Sequence, residues 1–235
     1  MESRHDGERS RETFLATLYA SRFTDAQHNA KARLWSVLVD RFLQRFVPHD
    51  ATVVDIAGGY GEFASHVKAT RKIIIDLNPD ARYPADAGVE VRLADARRLR
   101  DETDLIEAAD VVFVSNFFEH LASKEELLTV LDGMYGVLRP GGTLLVIQPN
   151  FRFSYREYFD FLDHSLALTD RSLGEALRLA GFRIDELIPR FLPYTTKGRP
   201  SSPLLLRIYL SLPWLWPIFG AQTFARATKP LHGRS

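Results

Sequence analysis

Residues Val53 to Ala64 read VVDIAGGYGEFA, an apolar strand that runs directly into three glycines within four residues and then into helix-compatible sequence. Glycines at such a corner let a ligand approach the backbone and leave amide groups free to point at it. The same corner could also be a bare strand-to-helix turn. Either way it opens a strand–turn–helix unit, and the chain repeats that alternation. Strands are expected at Thr52–Ile56, Lys72–Asp76, Val89–Leu93, Val111–Ser115, Thr143–Gln148, Arg183–Ile188 and Gln222–Thr228. Short β-rich runs separated by helical stretches call for a parallel sheet covered by helices. The expected fold is therefore α/β, a doubly wound, seven-stranded, mostly parallel sheet.

The helices carry their own signals. Leu34, Leu38, Phe42 and Phe46 fall four apart within a helical region from Thr13 to Val47 that Pro48 ends. Ser123 and Glu126 form an S-x-x-E capping pattern ahead of Leu127, Leu131, Met134 and Leu138, and Pro140-Gly141-Gly142 stops that run. After Thr169 a helix buries Leu173, Leu177 and Ala180, with Gly181 placed to close it. The organisation expected is a solvated lead over residues 1–12, a helical region over 13–48 and one ligand-binding domain over 49–235. Helical cap segments at 149–168 and 189–220 interrupt the alternation beside the strand ends where such sheets hold ligands.

Thirty Lys and Arg balance thirty Asp and Glu. A formal charge of zero gives no electrostatic footprint for gripping phosphate backbones, so nucleic acid is not expected as a partner. With no cysteine, disulfides, Cys zinc sites and cysteine nucleophiles are excluded. No metal site is expected. The polar opening MESRHDGERSRE shows no secretory signal, and a cytoplasmic protein is the expectation.

The glycine loop is joined by a second carboxylate. Asp76 ends the strand Ile73-Ile74-Ile75-Asp76 on the same sheet edge, where it can accept both hydroxyl hydrogens of a ribose. Loop and acid together indicate a nucleoside-containing cofactor. Gly59-Tyr60-Gly61-Glu62-Phe63-Ala64 satisfies the dinucleotide pattern G-x-G-x-x-G/A, so an NAD(P)-dependent oxidoreductase is one reading. Asp55 favours another. A carboxylate just before the loop repels a pyrophosphate but attracts the ammonium and sulfonium of S-adenosylmethionine. A non-catalytic cofactor-binding or scaffold protein would carry the same loop.

Asp55-x-Ala57-x-Gly59-x-Gly61 resembles motif I of the class I S-adenosylmethionine-dependent methyltransferases, with Ala57 in place of the usual first glycine and Gly58 beside it. Further segments follow in the family's order over roughly Val53 to Phe182. The resemblance implies a Rossmann-like methyltransferase fold and S-adenosyl-L-methionine as cofactor. It makes Asp76, with Leu77, the ribose acid, and Asp95, with Ala96, the adenine contact. Asp110 to Leu121 matches the fourth-strand segment, Leu138 to Thr143 the turn before strand five, and Thr169 to Phe182 the last helix of members acting on small molecules.

Methyl transfer from a sulfonium is an in-line displacement, so the protein supplies alignment and a destination for the acceptor's proton. His120, just past strand four, is the candidate base, and Asn116 and Phe117 are expected to line the cofactor. Residues 151–164 gather aromatics, arginines, acids and a histidine after strand five. There Tyr155, Tyr158 and His164 are candidates to orient a polar small-molecule acceptor, and Arg152 and Arg156 to hold an anion. O-methylation of a hydroxyl or carboxyl group is the expected reaction. Residues 203–219 form the most apolar run. Prolines and Arg207 argue against a membrane span, which leaves a lid, a homodimer face or a peripheral bilayer contact through Trp214 and Trp216. Tyr19 and Phe23 are further candidates to close over the cofactor.

Overall fold

The computed structural model describes residues 25–78, 88–194 and 202–232. Tyr19, Phe23 and the stretch Thr13–Thr24 therefore lie outside the described residues. Helices α1 (Asp25–Leu38), α2 (Glu62–His66), α3 (Lys124–Val137), α4 (Phe151–Ser154), α5 (Asp170–Leu179), α6 (Pro203–Ser211) and α7 (Trp216–Phe219) surround one sheet. Its strands are β1 (Thr52–Ile56), β2 (Arg71–Asp76), β3 (Glu90–Leu93), β4 (Ala109–Ser115), β5 (Leu138–Pro149), β6 (Arg183–Leu192) and β7 (Gln222–Thr228).

The sheet order is β3-β2-β1-β4-β5-β7-β6. Strands β1 to β5 pair in parallel, and β7 runs antiparallel between β5 and β6. Val53, Val54 and Ile56 of β1 are buried on both faces, as an unbroken apolar central strand requires. The first and last strands match the sequence expectation residue for residue. β5 begins earlier than Thr143, because Leu138 pairs with Ala109 before an irregularity in the ladder. β6 continues through Pro189 to Leu192, which pairs with Gln222, so the cap expected at 189–220 starts only after β6.

One face of the sheet packs on α3 and α5 through Leu127, Leu131, Met134, Leu173 and Leu177. The other packs on α1, α6 and α7, where Leu38, Phe42, Leu210 and Trp216 enclose Phe191 and Phe224. The long N-terminal helix of the sequence reading is only partly realised. After Leu38 the backbone loosens into a π turn over Val39–Leu43 and a 3-10 turn over Gln44–Phe46. Those turns aim the Phe42 ring at Phe191 and Phe224, 4.2 and 4.8 Å away.

Local caps fix the helix ends. Ser123 Oγ accepts the Glu126 N–H at 3.2 Å, while Glu126 Oε2 reaches back to the Ala122 N–H at 3.0 Å. Thr169 and Ser172 cap α5 reciprocally. Gly181, at φ +91°, reverses the chain after it, and the Phe182 N–H closes on Leu177 O at 3.0 Å. Among the described residues no helix is long and apolar enough to cross a membrane.

Candidate functional site

Register places the functional edge. Ile56 of β1 pairs with Ile75 on one side and Val114 on the other, so the loops after β1, β2 and β4 leave the sheet together. Strand order reverses between β1 and β4, the point where doubly wound sheets open a ligand crevice.

The loop after β1 is held in left-handed backbone. Ala57, Gly59 and Gly61 sit at φ +53°, +55° and +73°. Ala57 thus takes the conformation of the glycine it replaces, at a cost of about 1–2 kcal/mol. Its N–H is secured on Ile75 O at 2.8 Å. Gly58 beside it is not among the left-handed residues. It makes room, since a Cβ there would stand 2.9 Å from Asp55 Oδ2 and 3.0 Å from Ile74 Cγ2. Gly59 is the reverse case: a Cβ would meet no atom within 4 Å, so the backbone there faces open space.

Asp76 and Asp55 border the loop, and Asp95 follows β3. Asp76 Oδ2 accepts the Gly59 N–H at 2.7 Å and Oδ1 accepts the Asn78 N–H at 2.7 Å, tying the end of β2 to the loop. Burial raises the Asp76 pKa against the pull of these amides. Asp55 is buried, and its Oδ2 has no hydrogen-bond partner among the described residues. Burial first, then repulsion from Glu62 and Asp76, pushes its carboxyl well above the usual range, opposed by the Ala64 N–H. A buried carboxylate without a compensating charge is costly, and a ligand ammonium at this position removes that cost. Asp95 caps the turn after β3, where it accepts the Arg97 N–H at 2.9 Å and pairs with the Arg97 guanidinium. Leu77 is exposed and Ala96 buried.

β4 too is followed by a left-handed non-glycine residue. Asn116, at φ +49°, donates its N–H to Ile147 O at 2.9 Å, and half-buried Phe117 packs beside it. Ala57 and Asn116 thus take left-handed backbone at the ends of adjacent strands, as Glu107 does ahead of β4. The 3-10 turn Phe118–His120 then presents His120. Its Nδ1 lies 3.2 Å from Asp163 Oδ2, and the Asp163 carboxylate is almost fully buried. His164 stands edge-on to His120 at 5.2 Å between ring centres.

Residues 151–164 divide into wall and support. Tyr158 is fully buried and donates its hydroxyl to Leu166 O at 2.6 Å, so it braces the wall from inside instead of facing an acceptor. Arg152 pairs with Asp170 at 2.9 Å, which Asn150 Nδ2 also contacts at 2.9 Å, and these partners outweigh burial to hold the Asp170 carboxyl low. That guanidinium locks α4 to α5. Tyr155 and Arg156 are exposed and contact each other, with Nε donating to the phenol oxygen at 3.2 Å. His164 faces the cluster and lies 3.4 Å from Tyr194 Oη through Nδ1. Glu119, Asp163 and Tyr194 were not singled out in the sequence. Glu119 is buried with Phe118 in the 3-10 turn that carries His120, and the other two arrive only through the fold.

A seven-stranded sheet of this order, with left-handed backbone in the loop after β1, an acid ending β2 and the buried Asp55 just before the loop, is the architecture of the S-adenosylmethionine-binding α/β class. The sequence pattern of a family described as a methyltransferase domain matches residues 26–187. The chain belongs to that family and is an S-adenosylmethionine-dependent methyltransferase. Among solved structures, it is similar to an S-adenosylmethionine-dependent methyltransferase from Archaeoglobus fulgidus, at 22% identity over 84% of this chain and 94% of that one, TM-score 0.62. A possible histamine N-methyltransferase from Thermotoga maritima is 18% identical over 84% and 91%, TM-score 0.61. The [4+2]-cyclase SpnF is 18% identical over 89% and 84%, TM-score 0.59. These likenesses are of fold. Comparison with curated proteins found no match.

Proposed function

We propose that this methyltransferase is a cytoplasmic enzyme acting on oxygen of a small molecule, a hydroxyl or carboxyl group of a sugar, a lipid-linked compound or a secondary metabolite. The observation that carries the reading is His120, oriented by a buried carboxylate at the end of β4 and next to the wall formed by residues 151–164. When bound, S-adenosylmethionine supplies a methyl group on a sulfonium. The chain supplies position. Gly59 and Gly61 admit the cofactor against the backbone, Asp76 takes the ribose, Asp55 the ammonium, and Asp95 with Ala96 the adenine end. Leu77, Asn116 and Phe117 border it. A hydroxyl acceptor must lose its proton as the new bond forms, and His120 is the residue that manages that proton, with Asp163 fixing its ring. Replacing His120 with Ala is expected to slow transfer of labelled methyl to an accepted substrate by about 10²–10⁴-fold. Affinity for S-adenosylhomocysteine should hardly change. Full turnover in that variant would return His120 to a structural role.

The finer partner reading is a bilayer surface. A helix lying on a domain ordinarily turns a polar face outward. α6 instead exposes Leu204, Leu205 and Ile208, with Trp214, Ile218 and Phe219 following on the same apolar stretch. Buried Trp216 donates its indole N–H to Tyr209 O at 3.0 Å, and Tyr209 donates to Phe191 O at 2.7 Å, which pins this platform to the core. No Asp or Glu occurs after Glu186, Arg207 is exposed on the stretch, and half-buried Arg190 donates to the Gly220 and Ile218 carbonyls at its end. Exposed aromatic and aliphatic side chains with only cationic companions fit an anionic lipid interface. Phosphatidylcholine vesicles containing phosphatidylglycerol should sediment the protein, pure phosphatidylcholine should do so weakly, and the double substitution Ile208→Ser, Trp214→Ser should abolish the effect. Failure to sediment, together with a concentration-dependent dimer that the same substitutions dissolve, would make this a homodimer face instead.

A further inference from the structure

At the edge of the acceptor site, Glu119, His120 and His164 each offer one donor atom, and the three atoms lie within 4.8 Å of one another. Two features separate this group from an ordinary polar cluster. The first is Glu119. Its side chain is buried and its Oε2 has no hydrogen-bond partner among the described residues, although the side-chain amide of Gln148, itself unpaired there, acts on it. A buried carboxyl oxygen in that condition is relieved either by a proton or by a bound cation, and the two imidazoles beside it supply the further ligands a cation needs.

The second feature is how the imidazoles are held. His120 is oriented through Nδ1 by Asp163, at 3.2 Å from Oδ2 and 3.2 Å from the Asp163 carbonyl oxygen. His164 is oriented through Nδ1 by Tyr194 Oη at 3.4 Å, and its ring stacks on Phe161 at 4.9 Å between centres. Metal-binding histidines are commonly fixed in this way, with an oxygen partner on one ring nitrogen and the ion on the other.

We propose that Glu119, His120 and His164 bind one divalent transition-metal ion, of the zinc or cobalt type. This rests on the proposed function and changes how His120 serves it: as a ligand His120 holds the ion that acidifies the acceptor hydroxyl, and the proton leaves to solvent instead of going to the imidazole. Two imidazoles and one carboxylate suit a first-row transition ion better than magnesium or calcium, which prefer all-oxygen surroundings. Bond lengths of about 2.0–2.2 Å bring ligand atoms to roughly 3–3.5 Å from one another, so modest side-chain rotation closes the set. Three protein ligands leave a position for an oxygen of the acceptor, whose hydroxyl becomes more acidic on the ion. The acceptor class that follows is one presenting a hydroxyl, alone or beside a second oxygen, to the Asn116–His120 turn.

The test uses the untagged full chain, stripped with EDTA and dialysed, then titrated calorimetrically with zinc chloride and followed by visible absorbance with cobalt(II). One ion per chain is expected, with a cobalt spectrum of low-symmetry nitrogen and oxygen ligation. Glu119→Gln and His164→Ala should each weaken binding at least tenfold, and Asp163→Asn by about 10–100-fold through the ring it orients. Each variant is titrated with S-adenosylhomocysteine on the same sample, and unchanged affinity shows that the fold survives. Wild-type protein that binds S-adenosylhomocysteine but takes up no saturable zinc overturns the proposal, as does zinc affinity unchanged in both ligand variants. Loss of S-adenosylhomocysteine binding by the wild type would strike the cofactor site and leave the metal result to be read on its own stoichiometry.

Discussion

Replacing Gly59 separates two roles of the loop. Residue 59 sits at φ +55°, where any side chain costs about 1–2 kcal/mol of backbone strain. That cost is common to Ala and Val, and in a chain of this size it lowers the melting temperature of ligand-free protein by about 2–8 °C. A Cβ at Gly59 touches nothing within 4 Å, so no clash adds to it. The side chain enters the open space assigned to the cofactor. Ala fills little of that space, whereas the branched Val fills the approach over which the adenosine must lie. The expected losses of S-adenosylhomocysteine affinity are therefore about tenfold for Gly59→Ala and at least 100-fold for Gly59→Val, the latter equal to about 2.7 kcal/mol. Calorimetric titration of wild type and both variants, beside their melting curves, gives both quantities. Equal affinities in all three proteins would refute the placement of the cofactor on this loop, whatever the melting curves show.

Asp55→Asn should stabilise the ligand-free protein near neutral pH and weaken S-adenosylhomocysteine binding. Because burial raises the native pKa of Asp55 above its ordinary 3.8, the unfolded chain ionises first, and stability falls as pH rises from about 4 through the native value. Thermal melts across that range should show a slope that the Asn variant lacks, and identical profiles would remove Asp55 from the account. Asp76→Asn gives up a charged acceptor for ribose and for the Gly59 N–H, so affinity for S-adenosylhomocysteine should fall by about 10–100-fold. An Asp76→Asn protein that binds normally would contradict the ribose assignment. Arg152→Ala should act on stability, by about 1 kcal/mol at this half-exposed ion pair, and not on the KM for the acceptor. A raised KM with an unchanged melting temperature would give Arg152 back its role as an anion-binding residue.

Much of the scaffold is written locally. Buried parallel strands are continuous apolar runs, so Val53-Val54 and Ile73-Ile74-Ile75 stand out, and Ser123, Thr169 and Gly181 mark helix ends by side-chain chemistry that acts within four residues. What sequence could not supply is the destination of side chains. Arg152 reads as a free cation until Asp170, 18 residues on, comes to meet it. Tyr158 reads as a polar contact until the wall closes over it. The extra length of β6 depends on Gln222 pairing with Leu192, a register set by β7. Gly58 and Gly59 look equivalent as letters, yet one spares Asp55 and the other faces open space, a distinction made by Ile74 on the neighbouring strand. The proposed metal ligands were hidden for the same reason, since Glu119 and His120 adjoin but His164 reaches them only when the segment after β5 folds back.

The central claim is that the crevice between the loops after β1 and β4 holds S-adenosylmethionine with its methyl group turned toward His120. A crystal structure of the protein with S-adenosylhomocysteine tests it most directly. The account predicts the ribose hydroxyls on Asp76, the ammonium group at the Asp55 carboxylate and the sulfur facing the Asn116–His120 turn. Density for the ligand away from Gly59, or with its sulfur turned from that turn, would contradict it.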